Sequence, residues 1–243
     1  MRKFGLIGYP LTHSFSKKYF TEKFQREGIT DCVYENFPIP SIEELGKILS
    51  GTPGLEGLNV TIPYKQQVIA WLDHHKDTLP IPACNCIRIR NGETTGYNTD
   101  IFGFEQSLRT GLRPYHQRAL ILGNGGATEA VRYVLARLGI GFSIVSRRLH
   151  NGSTMVYEDV SEEVVREHLL IINASPVGMY PHTEQYPVIP YQAIGPRHYL
   201  YDLIYNPVKT IFLQKGEEQG ATIRNGADML VLQAEESWRI WNN

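Results

Sequence analysis

The stretch Arg118-Ala-Leu-Ile-Leu-Gly-Asn-Gly-Gly-Ala127 decides the fold that we predict for this chain. The apolar run that follows Arg118 predicts a buried strand over 118–122, and a glycine-rich turn follows directly. Apolar residues then recur at the spacing of one helix face, at Val131, Val134, Leu135 and Leu138. Gly139 ends that helix, and 142–145 form the next strand. Strand, glycine-rich turn, helix and strand in this order are typical of the first half of a dinucleotide-binding fold.

The rest of the chain repeats the alternation of strands and helices, which predicts α/β architecture with parallel strands. Further strands are expected at 4–7, 33–37, 57–62, 84–89, 169–174 and 199–203. Further helices are expected at 17–27, 41–49, 64–72 and 227–241, with Ser16 as the N-cap of the first and a capping box at the start of the second. We predict a mixed or parallel α/β/α substrate domain over 1–103 and 223–243. A Rossmann-type domain is predicted over 104–222.

Composition excludes several classes of function. The chain has 243 residues, 42% of them hydrophobic, and a net charge of −1. It therefore has no overall field that would recruit nucleic acid or an anionic membrane. The N-terminal apolar run breaks at Gly8 and lacks a signal-peptide core, so we expect a cytoplasmic protein. Cys84 and Cys86 could face one metal, but no second cysteine pair accompanies them, and we expect reduced thiols and no metal site.

Two separate motifs carry residues suited to proton transfer. Asn59-Val-Thr-Ile-Pro-Tyr-Lys65 places a lysine just after a short apolar strand, at the expected start of a helix. Asn98-Thr-Asp100 places a carboxylate in an expected turn between Gly96 and Gly103. Neither motif alone indicates proton transfer; most lysines at helix starts, for example, are simply solvated. A lysine and an aspartate that meet in one cleft can move protons to and from an oxygen, as reversible reduction of a ketone requires.

These motifs, together with Gly8-Tyr-Pro-Leu-Thr-His-Ser14-Phe-Ser16 and Asn225-Gly-Ala-Asp-Met-Leu-Val-Leu-Gln233, resemble the shikimate dehydrogenase family. The resemblance extends over nearly the whole chain. It implies NADP-dependent interconversion of 3-dehydroshikimate and shikimate in aromatic amino acid biosynthesis, in a cleft between two domains. Lys65 and Asp100 would be the catalytic pair. The implied substrate-binding residues are Ser14, Ser16, Asn59, Thr61, Asn85, Tyr205 and Gln233.

The strand that follows the glycine-rich turn ends in Ser146-Arg147-Arg148, where an NAD site usually carries an acidic residue. A guanidinium pairs bidentately with a 2′-phosphate, which a carboxylate would repel. This ending favours NADP as the cofactor. With the resemblance added, the expected cofactor-binding residues are Gly123, Asn124, Gly125, Gly126, Ala127, Ser146, Arg147, Arg148, Leu203 and Gly226.

The chain departs from the usual family pattern at Lys17, Phe20 and Ile101, none of which removes a polar contact, and at Cys86, where the family usually has threonine. Three alternatives stay open. A quinate/shikimate dehydrogenase would usually carry an acidic residue near Arg147, and a folate-type dehydrogenase lacks the Ser-x-Ser and Asn-x-Asp motifs. A non-catalytic sensor of shikimate or quinate need not keep both Lys65 and Asp100. The sequence leaves open a monomer or a homodimer, and which of the pair carries the transferred proton.

Overall fold

A computed structural model describes residues 1–11, 15–149 and 152–243. The chain forms two compact units, one of Met1–Thr99 with Ala234–Asn243 and one of Asp100–Gln233. Each has its own sheet, which confirms the predicted α/β class. The functional domains, 1–103 with 223–243 and 104–222, stay a prediction. Among the described residues, no helix is both long enough and apolar enough to cross a bilayer.

The first unit contains a mixed five-stranded sheet. Its strands are β1 (Arg2–Gly8), β2 (Cys32–Pro38), β3 (Leu55–Val60), β4 (Cys86–Arg90) and β5 (Glu93–Tyr97). They lie in the order β2-β1-β3-β4-β5, with β1 parallel to β2 and β3, and β4 antiparallel to both of its neighbours. Two helices, α1 (Phe15–Glu27) and α2 (Leu45–Gly51), join the parallel strands. The carboxyl ends of β1 and β3 therefore meet at one edge of the sheet.

Aromatic packing joins the end of the chain to this sheet. Phe4 stacks on Trp241 with ring centroids 4.8 Å apart, and Trp241 Nε1 donates to Ile87 O at 2.9 Å. Lys23 is only 4% exposed and forms an ion pair with Glu235 at 2.9 Å. Trp241 and Glu235 lie on the last helix, so apolar and ionic contacts together fix its final turns on the first unit.

The second unit contains six parallel strands. They are β6 (Arg118–Leu122), β7 (Gly141–Ser146), β8 (Met155–Val156), β9 (Leu170–Asn173), β10 (Tyr199–Asp202) and β11 (Thr222–Arg224). Their order is β11-β10-β9-β6-β7-β8. Numbered within the unit this is the 3-2-1-4-5-6 order of dinucleotide-binding folds. The remaining helices are α3 (Thr99–Arg109), α4 (Thr128–Arg137), α5 (Glu162–Glu167), α6 (Ile211–Glu218) and α7 (Ala227–Asn242).

Several local predictions were wrong. Ser16 is the second residue of α1 and does not precede it, and the segment predicted as a helix over 64–72 is a turn followed by a 3₁₀ helix, Gln67–Trp71. The helix predicted over 41–49 begins as a 3₁₀ turn, Ile42–Glu44, and the Ser41 side chain contacts Glu43 and does not cap the backbone. Prolines, β-branched residues and short length weaken local helix signals, and packing decides such segments.

Helices α3 and α6 and strands β5, β8 and β11 were not predicted. The main consequence concerns Asp100, which lies in the first turn of α3 and not in a loop between two glycines. Gly103, taken from the sequence as a turn residue, is inside this helix. Its lack of a side chain serves packing and not chain reversal, because a Cβ at Gly103 would lie 2.6 Å from the carbonyl oxygen of Met229 on α7.

Candidate functional site

Thr61 lies where the carboxyl ends of β1 and β3 adjoin. Its backbone N–H donates to Ile7 O at 2.9 Å, and the Tyr9 N–H donates to Ile62 O at 3.2 Å. A Cβ at Gly8 would collide with the Thr61 methyl group, so only glycine permits this approach. The loops after β1 and β3 are therefore held side by side. The first of them leads towards Ser14, which lies outside the described residues.

Lys65 follows β3 in a turn, and its side chain is partly buried. The Cys84 N–H donates to Lys65 O at 2.7 Å, which ties this turn to the segment that enters β4. Asn85 is the next residue of that segment. Because β3 and β4 are antiparallel, the end of one lies beside the beginning of the other. The structure thus brings Thr61, Lys65 and Asn85 together at one edge of the first sheet.

Asn59 and Asn85 are 5% and 3% exposed, and both side chains are bonded within the protein. Asn59 Oδ1 accepts from the Tyr34 hydroxyl at 2.8 Å, and Asn59 Nδ2 donates to Ser237 Oγ at 2.9 Å. Asn85 Oδ1 accepts from the Thr99 backbone N–H at 2.6 Å. Their arrangement shows a structural role. A role of either residue in substrate binding stays a prediction.

Asp100 directly follows Thr99 at the start of α3. A carboxylate in the first turn interacts favourably with the positive end of the helix dipole. One turn later Gly103 lies against α7, where a Cβ would stand 3.1 Å from Gln233 N. Gln233 is 8% exposed and its Nε2 donates to Leu230 O at 2.9 Å. Within the second unit, Gln233 therefore packs beside the helix that carries Asp100.

The glycine-rich turn between β6 and α4 fits a dinucleotide. Gly123 has φ of +108° and lies so close to the next loop that a Cβ would stand 2.9 Å from Ser175 N. By contrast, a Cβ at Gly125 or Gly126 would meet no described atom within 4 Å. Packing thus requires Gly123, whereas Gly125 and Gly126 leave open space in front of the α4 N-terminus. A pyrophosphate uses such space and such a helix dipole.

Ser146, Arg147 and Arg148 lie at the carboxyl end of β7, next to that turn. The Gly123 N–H donates to Val145 O at 2.8 Å, and Ser146 Oγ donates to Arg148 O at 2.6 Å. Both arginines are exposed. Burial raises the pKa of Tyr157, and the positive charge of Arg147 opposes that shift. The turn therefore presents two cations where a 2′-phosphate is expected.

Leu203 and Gly226, two further predicted cofactor residues, are brought together at the carboxyl end of β10. The Gly226 N–H donates to Ile204 O at 3.0 Å, and a Cβ at Gly226 would collide with the Leu203 carbonyl. Tyr205, assigned to the substrate by resemblance, is 45% exposed just beyond them. These contacts are set by residues that are far apart in the sequence.

Asp202 is a buried carboxylate at this edge that sequence reasoning missed. It accepts hydrogen bonds from Asn173 Nδ2 and Ile204 N at 3.0 Å each, and from the Thr210 hydroxyl at 2.6 Å. Burial raises its pKa to about 7, and the three hydrogen bonds oppose that shift. The sequence feature that could have identified Asp202 is an acidic residue at the end of a predicted buried strand. Asp202 holds together the loops that follow β9 and β10.

The cysteines form no metal site in the part of the chain that the structure describes. All three are free thiols, of which Cys84 and Cys86 are buried. Across 1–11, 15–149 and 152–243, no three histidine, cysteine or acidic side chains are grouped as metal ligands would be. Burial raises the pKa of the Cys86 thiol, which keeps it protonated and unreactive.

Known proteins that are similar in sequence to this chain are named shikimate dehydrogenases. A family model described as the shikimate dehydrogenase substrate binding domain matches residues 6–87. A protein named shikimate dehydrogenase (NADP(+)) from Methanococcus maripaludis is 37% identical, over 98% of this chain and 90% of its own length. One of the same name from Caldicellulosiruptor saccharolyticus is 35% identical, over 99% of this chain and 92% of its own length.

Solved structures show the same fold. A shikimate dehydrogenase in complex with NADP+ has a TM-score of 0.86 at 30% identity, covering 99% of this chain and 90% of its own. The Thermus thermophilus shikimate 5-dehydrogenase in complex with NADP(H) and shikimate has a TM-score of 0.85 at 29% identity, and the match covers 99% of this chain and 93% of its own. A quinate dehydrogenase from Corynebacterium glutamicum in complex with NAD has a TM-score of 0.87 at 25% identity, and the match covers 99% of this chain and 93% of its own.

Proposed function

Because the chain belongs to the shikimate dehydrogenase family, we propose that it catalyses the NADP-dependent, reversible reduction of 3-dehydroshikimate to shikimate in aromatic amino acid biosynthesis. The observation that carries this proposal is the sheet edge of the first unit. There the backbone fixes Lys65 beside Thr61 and Asn85. Relatives that match nearly the whole chain are named for this reaction and this cofactor.

Lys65 is the proposed acid–base residue. Bound NADPH supplies a hydride for the C3 carbonyl carbon of 3-dehydroshikimate, and Lys65 Nζ donates a proton to the oxygen as negative charge develops there. In the reverse direction a neutral Lys65 accepts the proton of the C3 hydroxyl. Asp100 is the proposed second member of the pair, and it either shares this proton or orients Lys65 and a substrate hydroxyl.

The proposed substrate residues are mostly neutral hydrogen-bonding groups. Hydroxyls and amides discriminate among polyhydroxylated acids, because an analogue that lacks a hydroxyl leaves a site group unpaired. The set is Ser14, Ser16, Asn59, Thr61, Asn85, Tyr205 and Gln233. The side chains of Asn59 and Asn85 are hydrogen-bonded to other protein groups. We therefore expect these two residues to act at least in part by maintaining the structure of the site.

The cofactor is proposed to lie along the carboxyl edge of the second sheet. The glycine turn, 123–127, would hold the pyrophosphate at the start of α4. Arg147 and Arg148, with Ser146, would bind the 2′-phosphate. Leu203 and Gly226 would adjoin the nicotinamide. The open space at Gly125 and Gly126 supports this placement independently of any resemblance.

An absorbance assay tests the function directly. The protein is incubated with shikimate or quinate and with NADP or NAD, and nicotinamide reduction is followed in all four combinations. We expect the highest kcat/KM for shikimate with NADP. Preference for quinate with NAD would support the quinate-type alternative. Binding of shikimate without turnover in any combination would support the sensor. We place the reaction in the cytoplasm, and light scattering would decide between monomer and homodimer.

A further inference from the structure

A continuous chain of buried hydrogen bonds crosses the first unit. The Ser16 hydroxyl bonds to the Tyr34 hydroxyl, which donates to Asn59 Oδ1 at 2.8 Å. Asn59 Nδ2 donates to Ser237 Oγ at 2.9 Å, and Ser237 Oγ lies 3.2 Å from Thr99 Oγ1. Asn85 closes the chain, because its Oδ1 accepts from Thr99 Oγ1 at 3.2 Å.

Asn85 and Thr99 are joined by more than one contact, because Asn85 Nδ2 also donates to Thr99 Oγ1 at 3.1 Å. Ser237 Oγ accepts from Asn59 and contacts the Thr99 hydroxyl on its other side. Hydrogen bonds arranged in series polarise one another, and a buried network in which each group has a partner is rigid. Tyr34, Thr99 and Ser237 are 2%, 1% and 0% exposed, so water does not compete for these bonds.

The chain ends on the backbone of the helix that carries Asp100. Thr99 is the first residue of α3, and its N–H is one of the donors that a helix leaves unsatisfied at its N-terminus. Asn85 Oδ1 accepts this N–H at 2.6 Å, while Ser237 holds the Thr99 hydroxyl. These contacts hold both the backbone and the side chain of Thr99, the residue to which Asp100 is directly joined.

We propose that Ser237, Thr99 and Tyr34 are positioning residues that hold Asp100 and Ser16 in the geometry needed for the reaction. The inference rests on the proposed function, since it assigns these residues to the same site. Ser237 is the central member because its hydroxyl contacts the side chains of both Asn59 and Thr99. Through it, the last turns of α7 contact Thr99, which directly precedes Asp100 in the sequence.

The first test is Ser237→Ala, with Thr94→Val as a matched control. Thr94 is also a buried hydroxyl of the first unit, 4% exposed, and it donates to Asp73 Oδ2 at 2.8 Å outside the network. We expect Ser237→Ala to lower kcat by roughly tenfold or more, because small misplacements of catalytic groups have large effects on rate. The KM for NADP should stay unchanged. Equal kcat in Ser237→Ala and Thr94→Val would overturn the proposal.

A double-mutant cycle with Asp100→Asn asks whether Ser237 acts through Asp100. If it does, the two changes are not additive, and Ser237→Ala lowers kcat by less than about twofold in the Asp100→Asn background. Fully additive effects on kcat would show that Ser237 contributes only to stability or to other contacts. Thermal unfolding of each variant separates loss of folded protein from loss of rate.

Tyr34→Phe is the second test variant, to be used if Ser237→Ala does not fold. It removes only the hydroxyl and keeps the ring stacked on Phe20, whose centroid lies 4.7 Å away. We expect a several-fold higher KM for shikimate, since Ser16 loses its partner, with the KM for NADP unchanged. Parent-like kinetics in Tyr34→Phe would refute the network. A parent protein inactive with shikimate and NADP would instead refute the proposed function itself.

Discussion

Thr210 and Asp202 share a buried hydrogen bond of 2.6 Å, from the threonine hydroxyl to the carboxylate at the end of β10. The same carboxylate accepts from Asn173 and from the Ile204 N–H. A single charged group thus joins two loops at the edge where the cofactor is proposed to bind. Its burial has a consequence for the pH dependence of folding, because burial disfavours the charged form.

Asp202→Asn should change how stability varies with pH. The folded-state pKa of Asp202 is raised to about 7 by burial, above the ordinary value of 3.8, so the folded state binds the proton more tightly. The stability it contributes is present below pH 4 and is lost as pH rises through about 7. The full shift corresponds to roughly 4 kcal/mol. Unfolding midpoints of the parent and of Asp202→Asn are measured from pH 4 to 8. The midpoint of the parent, relative to that of the variant, should fall as the pH rises.

Asp73→Asn is the control of opposite sign. Hydrogen bonds from the Thr94 backbone and side chain lower the pKa of Asp73, so its contribution is present at neutral pH and lost as pH falls. If the difference between parent and Asp202→Asn midpoints does not change with pH, the carboxylate does not titrate in this window.

Gly123→Ala and Gly125→Ala should separate folding from cofactor binding. Alanine at 123 has an unfavourable positive φ and contacts Ser175, so we expect the Tm to fall, with a cost of about 1 kcal/mol or more. Alanine at 125 meets no described protein atom, so the Tm should hold while the KM for NADP rises. Equal NADP kinetics in Gly125→Ala and parent would contradict a pyrophosphate at this turn.

Lys65→Ala should lower kcat by roughly 10²–10⁴-fold, the usual contribution of a positioned acid–base group. Shikimate affinity should weaken far less, because the neutral contacts remain. Lys47→Ala, an exposed lysine on α2 of the same unit, controls for the loss of a surface charge. Turnover within threefold of the parent would remove Lys65 from the mechanism. Steady-state kinetics and shikimate titration of both variants provide the measurement.

Asp100→Asn keeps the shape of the side chain and removes its charge. If Asp100 takes part in proton transfer with Lys65, the pH–rate profile should shift together with the rate. The profile is measured from kcat/KM for shikimate at saturating NADP. An unchanged profile combined with a large loss of shikimate affinity would make Asp100 a binding residue alone.

Arg147→Asp should reverse the cofactor preference. The change removes a charge-assisted pair with the 2′-phosphate and adds repulsion, so NADP should lose more than about 1.5–3 kcal/mol while NAD is little affected. The parent preference should weaken with added salt, since Arg147 is exposed. Arg118→Asp is the matched control, because Arg118 begins β6 at the opposite edge of the sheet and pairs with Glu167 at 2.9 Å. A parent that prefers NAD would overturn the assignment.

Sequence reasoning succeeded where the signal is local. The strand, glycine turn and helix over 118–137 are predicted from neighbouring residues alone, because the apolar period and the glycines act within one supersecondary unit. Short segments were less predictable. The helix expected at 64–72 is a 3₁₀ turn, since so few residues cannot stabilise an α-helix without packing.

The sequence by itself determined the α/β class, the family and the identity of the chemical groups, because these depend on short motifs and periodicity. Only the tertiary structure decided that Asp100 lies in the first turn of a helix and that Thr99, just before it, is bonded to Asn85 and Ser237, residues distant in the chain. It likewise decided that Asn59 is enclosed by Tyr34 and Ser237, and that Asp202 joins two loops. Burial and hydrogen-bond partners are properties of three-dimensional packing, and no local pattern encodes them.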